Sequence, residues 1–182
     1  DRTKSRGLGD VYKRQAGGVG LQTLEICAKL GCRAAAVVGS DAKADVVRAR
    51  HPEVKDIIVR ESTPDAAYRA ALDSFGLIDV VMESLGGPWF DEGLSRLAPR
   101  GRLIHFGATA AYGAARGGLL KWPGLVAAYL RRPRVDPGEL TSTNRAVFGF
   151  NLIWLTGEED YLAEVLDGLA GVLLDRPPLV CR

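Results

Sequence analysis

Residues 16–32, AGGVGLQTLEICAKLGC, decide the predicted fold, because a glycine-rich turn opens there directly into a helix. The apolar residues that follow the turn have the spacing of one helical face, at Leu21, Leu24, Ile26, Cys27 and Leu30. The glycines allow backbone N–H groups to approach a pyrophosphate, and the N-terminus of the helix adds a favourable partial charge. We therefore predict a phosphate-binding loop at Gly17, Gly18, Val19 and Gly20, although a tight structural turn would use the same residues.

Beyond this helix, apolar strand-like segments alternate with helical segments that short connections join. The predicted strands are residues 33–39, 56–59, 78–82, 103–106 and 146–150. The predicted helices are residues 41–50, 62–75, 90–97, 119–130 and 161–174. Because strands that alternate with helices imply right-handed crossovers, we predict an α/β fold with a doubly wound parallel sheet.

Two of these segments carry more detailed expectations. The strand of residues 33–39 is a nearly continuous apolar run, which is typical of a strand that is covered on both faces. The helix of residues 62–75 is expected to begin with a hydroxyl cap in Ser62-Thr63, followed by Pro64 and Asp65 near its positive end.

The composition excludes several classes of protein. The chain has 182 residues, of which 47% are hydrophobic and 25% charged, as in an average globular chain. The formal net charge is only +2, so we expect no nucleic-acid partner. No apolar run approaches the ~20 residues of a membrane-spanning helix. Cys27, Cys32 and Cys181 form neither a disulfide framework nor a metal-ligand spacing, which favours a reduced, cytoplasmic location.

The end of the strand at Gly39 bears on the choice of cofactor, since a Rossmann unit meets the adenosine ribose at about this distance. NAD-binding sites usually place a carboxylate there, whereas NADP needs room and positive charge. Ser40 can donate to a 2′-phosphate and Lys43 supplies a positive charge, so we predict NADP. Ser40 as a helix cap and Lys43 as a solvated residue remain alternatives, and Asp41 would favour NAD if it faced the ribose.

Residues 16–32 recur with three further segments, VVGSDAK (37–43), IDVVMESLGG (78–87) and LAPRGRLIHFGAT (97–109), in an order that resembles one known family. The family is the medium-chain dehydrogenase/reductase superfamily, and in particular its zinc-independent quinone oxidoreductase branch. The segment NRAVFGFNLIWL (144–155) is similar to a stretch in quinone oxidoreductase-like proteins. The resemblance covers almost all of residues 16–182.

The resemblance implies further cofactor-binding residues. It places Ser84 and Leu85 beside the nicotinamide ribose. Phe106, Gly107 and Ala108 follow the next strand, where ligands of open α/β sheets bind. Ala146, Val147 and Phe148 match a segment whose backbone groups bind the carboxamide of the nicotinamide. Phe106 and Phe148 would equally suit a hydrophobic core. His105 is expected to be a satisfied polar group that has no cysteine or acidic partner, and no catalytic or metal-ligating residue is predicted.

The resemblance also implies that the chain is incomplete. Residues 5–15, SRGLGDVYKRQ, resemble a translated sequencing-adaptor artefact, so residues 1–15 are excluded from the predicted fold; a genuine short polar tail is the alternative. Family members begin with a separate chaperonin-10-type catalytic domain, and their first Rossmann strand would lie just before Ala16. Their last helix and strand would follow a segment like residues 177–180. Residues 16–182 are therefore expected to be a dinucleotide-binding domain without its first strand and its last helix and strand.

The function that these features imply is the nucleotide-binding portion of an NADPH-dependent oxidoreductase. In the intact protein, which is expected to be a homodimer, hydride would reduce a quinone, an enone or a related carbonyl compound. One alternative is a zinc-dependent alcohol dehydrogenase of the same superfamily. The other is a non-catalytic nucleotide-binding or membrane-associated protein on the same fold.

We predict that the chain by itself shows no quinone reductase turnover, because the hydride-acceptor pocket of the family needs both domains. The measurement is NADPH oxidation by the purified chain with added quinone. Oxidation that depends on quinone and is abolished by Gly20→Trp would overturn the interpretation of the chain as a fragment.

Overall fold

The computed structural model describes residues 18–61, 63–107, 126, 129–130, 132–155 and 157–173. Its helices are α1 (Val19–Lys29), α2 (Asp41–Arg50), α3 (Ala66–Phe75), α4 (Pro88–Ser95), α5 (Pro137–Thr143) and α6 (Glu159–Leu173), with a 3₁₀ helix at Leu152–Leu155. Its strands are β1 (Ala35–Val38), β2 (Asp56–Val59), β3 (Ile78–Glu83), β4 (Leu97–His105) and β5 (Ala146–Gly149). The alternation of helices and strands confirms the predicted α/β class.

All strand pairs among the described residues are parallel. Strands β1 and β2 form one sheet, and β3, β4 and β5 form a second sheet in that order. The chain divides into two compact units, of which the first contains β1 and β2 and the second contains β3, β4 and β5. The strand that the family resemblance implies just before Ala16 lies outside the described residues.

The first unit has a small core between its sheet and two helices. Leu21 and Leu24 of α1 and Ala44 and Val47 of α2 join one cluster with Ala36, Val38 and Val54. Both helices therefore cover the same face of β1. Val37, which points to the other face, is 38% exposed, so the expectation of a strand covered on both faces is wrong for the described residues. Alternation along the strand puts only every second side chain into this core.

The second unit buries its sheet against α4. Phe90 of α4 packs with Leu97 and Leu103 of β4, and both leucines are fully buried. Gly93 allows the close approach of the helix, because a Cβ atom there would lie 3.1 Å from the side chain of Val81. Trp89 also makes an edge-to-face contact with Tyr68 of α3, with ring centroids 4.9 Å apart.

Helix α3 begins later than the sequence indicated. Asp65 is its N-cap, and the Asp65 carboxylate accepts a hydrogen bond of 2.7 Å from the backbone N–H of Tyr68. The expected hydroxyl cap is therefore wrong as far as Thr63 is concerned, and Ser62 lies outside the described residues. The reason is local, since Asp65 stands three residues before an N–H group that needs an acceptor.

Strand β4 is longer than predicted, because Leu97 belongs to the strand and not to the preceding helix. Leu97 pairs with Ile78 in the parallel register. The register then shifts, so that the next pair is Val80 with Arg102, and residues 98–101 of β4 lie between the two pairs. Arg100 has a φ of 71° in this irregular part. The sequence shows Pro99 and Gly101 there, which conceal a strand from pattern analysis.

The structure also contains a helix that was not predicted. Helix α5 has Asp136 as its N-cap, which accepts from the N–H of Gly138 at 2.8 Å, and Pro137 as its first residue. This Asp-Pro start was a recognisable signal. The predicted helix of residues 119–130 lies mostly outside the described residues, and 126, 129 and 130 are helical. In the part of the chain that the structure describes, no helix is both long and apolar enough to span a membrane.

We predict that Asp65→Ala lowers the free energy of unfolding by about 1 kcal/mol, because it leaves the N–H of Tyr68 without its acceptor. Asp65→Asn keeps an acceptor oxygen and should change stability little. Urea denaturation followed by circular dichroism measures both variants. If Ala and Asn have the same effect, the cap does not contribute as described.

Candidate functional site

The glycine-rich turn lies at the N-terminus of α1. Gly18 is the N-cap, and Val19 and Gly20 are the first two helical residues. The backbone C=O of Gly18 accepts from the N–H of Gln22 at 3.2 Å, but the first N–H groups of a helix have no acceptor within it. Among the described residues, no side chain caps this end and no acidic residue lies in the first turn. The described part of the loop therefore has the N–H groups and the positive partial charge of a helix N-terminus, which suit a phosphate, whereas Gly17 lies outside the described residues.

Ser40 and Lys43 lie at the start of α2, directly after β1. Ser40 occupies the N-cap position, but its hydroxyl makes no capping hydrogen bond. The backbone C=O of Ser40 accepts from the N–H of Lys43 at 3.1 Å, and the Lys43 side chain is half-buried. Asp41 is exposed in the first turn, where its charge suits the positive end of the helix. The Ser40 hydroxyl is therefore not committed to the cap that the alternative interpretation assigned to it.

Arg60 is a basic residue beside Gly39 that the sequence analysis missed. The Nη2 atom of Arg60 lies 3.5 Å from the position that a Cβ atom on Gly39 would occupy. The backbone N–H of Arg60 donates to the C=O of Val38 at 2.8 Å, which fixes the residue at the end of β2. Because Val38 pairs with Val59, the parallel register itself was the signal that could have identified residue 60 as the neighbour of residue 39.

In the second unit, the structure brings Ser84 and Gly107 together. A Cβ atom on Gly107 would lie 3.1 Å from the backbone oxygen of Ser84. The N–H of Phe106 donates to the C=O of Glu83 at 2.9 Å, and both Phe106 and Leu85 are half-buried. The loops that follow β3 and β4 therefore run side by side at the carboxyl ends of the strands. Ala108 lies outside the described residues.

The remaining predicted residues lie along β5, which is one of the two edge strands of the described three-stranded sheet. Ala146, Val147 and Phe148 pair with Arg102, Leu103 and Ile104 of β4. Val147 packs against the core of the second unit, whereas Phe148 is 52% exposed. Phe148 is therefore not packed in a hydrophobic core among the described residues, which leaves cofactor binding as its other interpretation. An edge strand also leaves backbone groups on one side without a partner strand.

A buried carboxylate lies next to these loops. The Nδ1–H of His105 donates to Oε2 of Glu83 at 2.6 Å, and the Glu83 side chain is only 5% exposed. Oε1 of Glu83 accepts from the N–H groups of Leu85 and Gly86 at 2.6 and 2.7 Å. The expectation that His105 has no acidic partner is wrong. The two residues are far apart in sequence but are direct partners in the parallel register of β3 and β4.

Two observations concern reactive and metal-binding side chains in the described part of the chain. Burial, and to a lesser extent the neighbouring Cys32, raise the pKa of the Cys27 thiol, which makes it a poor nucleophile. Within the same residues, no group of three or more His, Cys, Asp or Glu side chains could hold a metal ion. The arrangement is suited to binding an anion and to fixing loops by hydrogen bonds.

Comparison with curated proteins finds similar segments in large synthases and in a smaller protein, while no family model matches the chain. The hybrid PKS-NRPS synthetase pynA of Aspergillus niger is 36% identical over 94 residues, which are 50% of this chain and 2% of that protein. The synaptic vesicle membrane protein VAT-1 homolog of Rattus norvegicus is 26% identical over 157 residues, which are 85% of this chain and 37% of that protein. The chain thus spans well under half the length of these relatives.

Solved structures give a similar result. A mycobacterial protein in complex with NADPH has a TM-score of 0.56 and 25% identity, and the match covers 86% of this chain and 44% of that one. The quinone oxidoreductase of Thermus thermophilus has a TM-score of 0.61 at 23% identity, with coverage of 89% and 43%. The CurK enoyl reductase has a TM-score of 0.59 at 18% identity, with coverage of 90% and 42%. These comparisons confirm the Rossmann-type fold, and the 26% identity to a mycobacterial quinone oxidoreductase, with a TM-score of 0.56, supports the resemblance to quinone oxidoreductase-like proteins.

We predict that Gly107→Ala destabilises the second unit by about 1–3 kcal/mol, because the added methyl group would press on the backbone oxygen of Ser84. Gly149→Ala is the matched control at the end of the neighbouring strand. A Cβ atom there meets no described atom within 4 Å, so its effect should stay within about 0.5 kcal/mol. Urea denaturation measures both, and equal effects would contradict the close approach of the two loops.

Proposed function

We propose that residues 16–182 form a dinucleotide-binding domain that binds NADP(H) for an oxidoreductase. The bound cofactor supplies a hydride, and the substrates are quinones, enones or related carbonyl compounds. The observation that carries the proposal is the Arg60 guanidinium beside Gly39 at the end of the first sheet, with Lys43 in the first turn of the helix that follows β1. The similarity to proteins whose structures contain NADPH supports the same cofactor.

The N-terminus of α1 is the proposed pyrophosphate site. Gly17, Gly18, Val19 and Gly20 would offer backbone N–H groups to the phosphate oxygens, since glycine leaves no side chain in the way. For the described residues of this loop, the absence of a capping side chain and of an acidic first turn supports the proposal. An anion would satisfy N–H groups that the helix leaves without acceptors.

The 2′-phosphate of NADP is assigned to the space above Gly39. Arg60 borders this space; its Nη1 donates to the backbone C=O of Glu61 at 3.3 Å, and its Nη2 lies nearest to Gly39, where it can donate to a phosphate. Ser40 adds a hydroxyl donor and Lys43 adds a positive charge from the first turn of α2. A carboxylate that would favour NAD by binding the ribose hydroxyls is absent from position 39, where the residue is glycine.

The nicotinamide half of the cofactor is assigned to residues of the second unit. Ser84 and Leu85, together with Phe106, Gly107 and Ala108, would border the ribose and the ring. Backbone groups of Ala146, Val147 and Phe148 would bind the carboxamide. The close approach of Ser84 and Gly107 supports the assignment of the ribose and the ring. In this proposal the chain binds and orients the cofactor, and the reduction itself is the chemistry of the nicotinamide.

We also propose that the intact protein is a cytoplasmic homodimer. Large apolar side chains that a monomer would leave in water cluster in β5 and directly after it, at Phe148, Phe150, Leu152, Ile153 and Trp154. The side chain of Trp154 is the most exposed of these, at 82%. An exposed apolar cluster of this kind is typical of a protein–protein interface. The spacing of the cysteines supports a reducing compartment.

We predict that Arg60→Ala and Lys43→Ala each weaken the binding of NADPH about 5- to 150-fold, because each removes a charged hydrogen bond of about 1–3 kcal/mol. NADH lacks the 2′-phosphate, so its affinity should change little. Ser40→Ala should act in the same direction but less strongly. Fluorescence titration of the purified chain with both cofactors measures the affinities.

Arg50→Ala is the matched control, since it removes an exposed positive charge from the last turn of α2, far along the helix from Ser40. Gly39→Asp should shift the preference toward NADH, because its carboxylate would repel the phosphate and pair with Arg60. If Arg60→Ala and Lys43→Ala reduced the affinities for NADH and NADPH equally, the assignment of NADP would be withdrawn. Asp41 would then be the leading candidate for recognition of the ribose.

A further inference from the structure

The proposed function assigns no role to the carboxylate–imidazole pair of Glu83 and His105. These residues are the last residues of neighbouring parallel strands and face each other in the register. Oε2 of Glu83 accepts from His105, and Oε1 accepts from two backbone N–H groups of the loop that follows β3. Both oxygens of a nearly fully buried carboxylate are therefore bound, which is what burial of a charge requires.

The two N–H groups belong to a loop whose backbone is unusual. Gly86 and Gly87 have φ values of 75° and 59°, in the left-handed region that residues with side chains rarely adopt. The chain enters α4 immediately afterwards, at Pro88. Flexible glycines do not hold such a path by themselves, because glycine has the largest conformational freedom to lose. The Glu83 carboxylate supplies the missing constraint, since one of its oxygens binds both Leu85 and Gly86.

His105 anchors the same carboxylate to the rest of the second unit. Its ring makes an edge-to-face contact with Phe90 of α4, with centroids 5.4 Å apart. Its backbone C=O accepts from the N–H of Phe150 after β5 at 2.9 Å. The imidazole therefore connects the Glu83 carboxylate to α4, while the backbone of the same residue binds the residue that follows β5. Loss of the Nδ1–H donor would leave Oε2 of Glu83 buried without its partner.

We propose that Glu83 and His105 are positioning residues that hold the loop of residues 84–87 in the conformation that binds the nicotinamide half of the cofactor. This inference rests on the proposed function, because Ser84 and Leu85 are the residues assigned to the nicotinamide ribose. It makes a specific demand on binding. A substitution in the pair should weaken the binding of a ligand that contains nicotinamide and leave unchanged the binding of a ligand that contains only the adenosine half.

The test compares two variants of His105 with two probes. His105→Leu removes the donor, whereas His105→Asn keeps an N–H group close to the position of Nδ1. The probes are NADPH and adenosine 2′,5′-bisphosphate, which lacks the nicotinamide and its ribose. We expect His105→Leu to weaken the binding of NADPH roughly tenfold and to leave the binding of the bisphosphate unchanged. His105→Asn should recover most of the lost affinity for NADPH. The amide proton resonances of Leu85 and Gly86 should move in the Leu variant and return in the Asn variant.

Each other result contradicts a defined part of the argument. If His105→Leu weakens both probes equally, or if Asn gives no rescue, the pair acts on general stability and the inference is wrong. If NADPH binds the Leu variant as tightly as the wild type, the inference fails while the proposed function stands. If the wild-type chain binds neither probe, the proposed function itself fails and the inference with it. Glu83→Gln, which keeps the size of the side chain but removes the charge, gives the same test if His105→Leu does not fold.

Discussion

Parallel pairing of neighbouring strands is the constraint on which the site depends. In a parallel pair the carboxyl ends of both strands lie at the same edge, so residues that are distant in sequence become neighbours there. The pairing of Val38 with Val59 puts Arg60 beside Gly39, and the pairing of Glu83 with His105 forms the buried carboxylate–imidazole contact. Within each unit, the candidate site residues therefore lie just beyond the ends of paired strands, β1 and β2 in the first unit and β3 and β4 in the second.

The two units use this constraint for different purposes. At the end of the first sheet, Gly39 has no side chain and the Arg60 guanidinium lies beside it, which suits an anionic group that comes from outside the protein. At the end of the second sheet, the charge belongs to the protein and is buried, with donors on both oxygens. We therefore propose that the first edge binds the 2′-phosphate, and that the second edge fixes the loop that borders the nicotinamide ribose. A buried charge with a full set of partners serves rigidity, because the loss of any partner is costly.

Features that depend on neighbouring residues could be predicted from the sequence. The glycine turn before α1, helix α2 at Asp41–Arg50 and strand β2 at Asp56–Val59 follow from local spacing and local stop signals. Features that depend on strand register could not be predicted in the same way. Two such features are the position of Arg60 beside Gly39 and the acidic partner of His105. Each joins residues that are more than 20 positions apart in sequence, through the pairing of two strands. Local spacing places Leu97 in a helix, because the partner that makes it part of a strand, Ile78, lies on another strand.

The central claim is that the chain binds NADP through both its pyrophosphate and its 2′-phosphate. The most direct measurement is ³¹P NMR of NADP⁺ during addition of the purified chain, since the two kinds of phosphate give separate resonances. The account predicts that the pyrophosphate and the 2′-phosphate resonances both shift, and that Arg60→Ala abolishes most of the shift of the 2′-phosphate alone. A shift confined to the pyrophosphate would contradict the role of Arg60 and Lys43, and no shift of either resonance would contradict cofactor binding altogether.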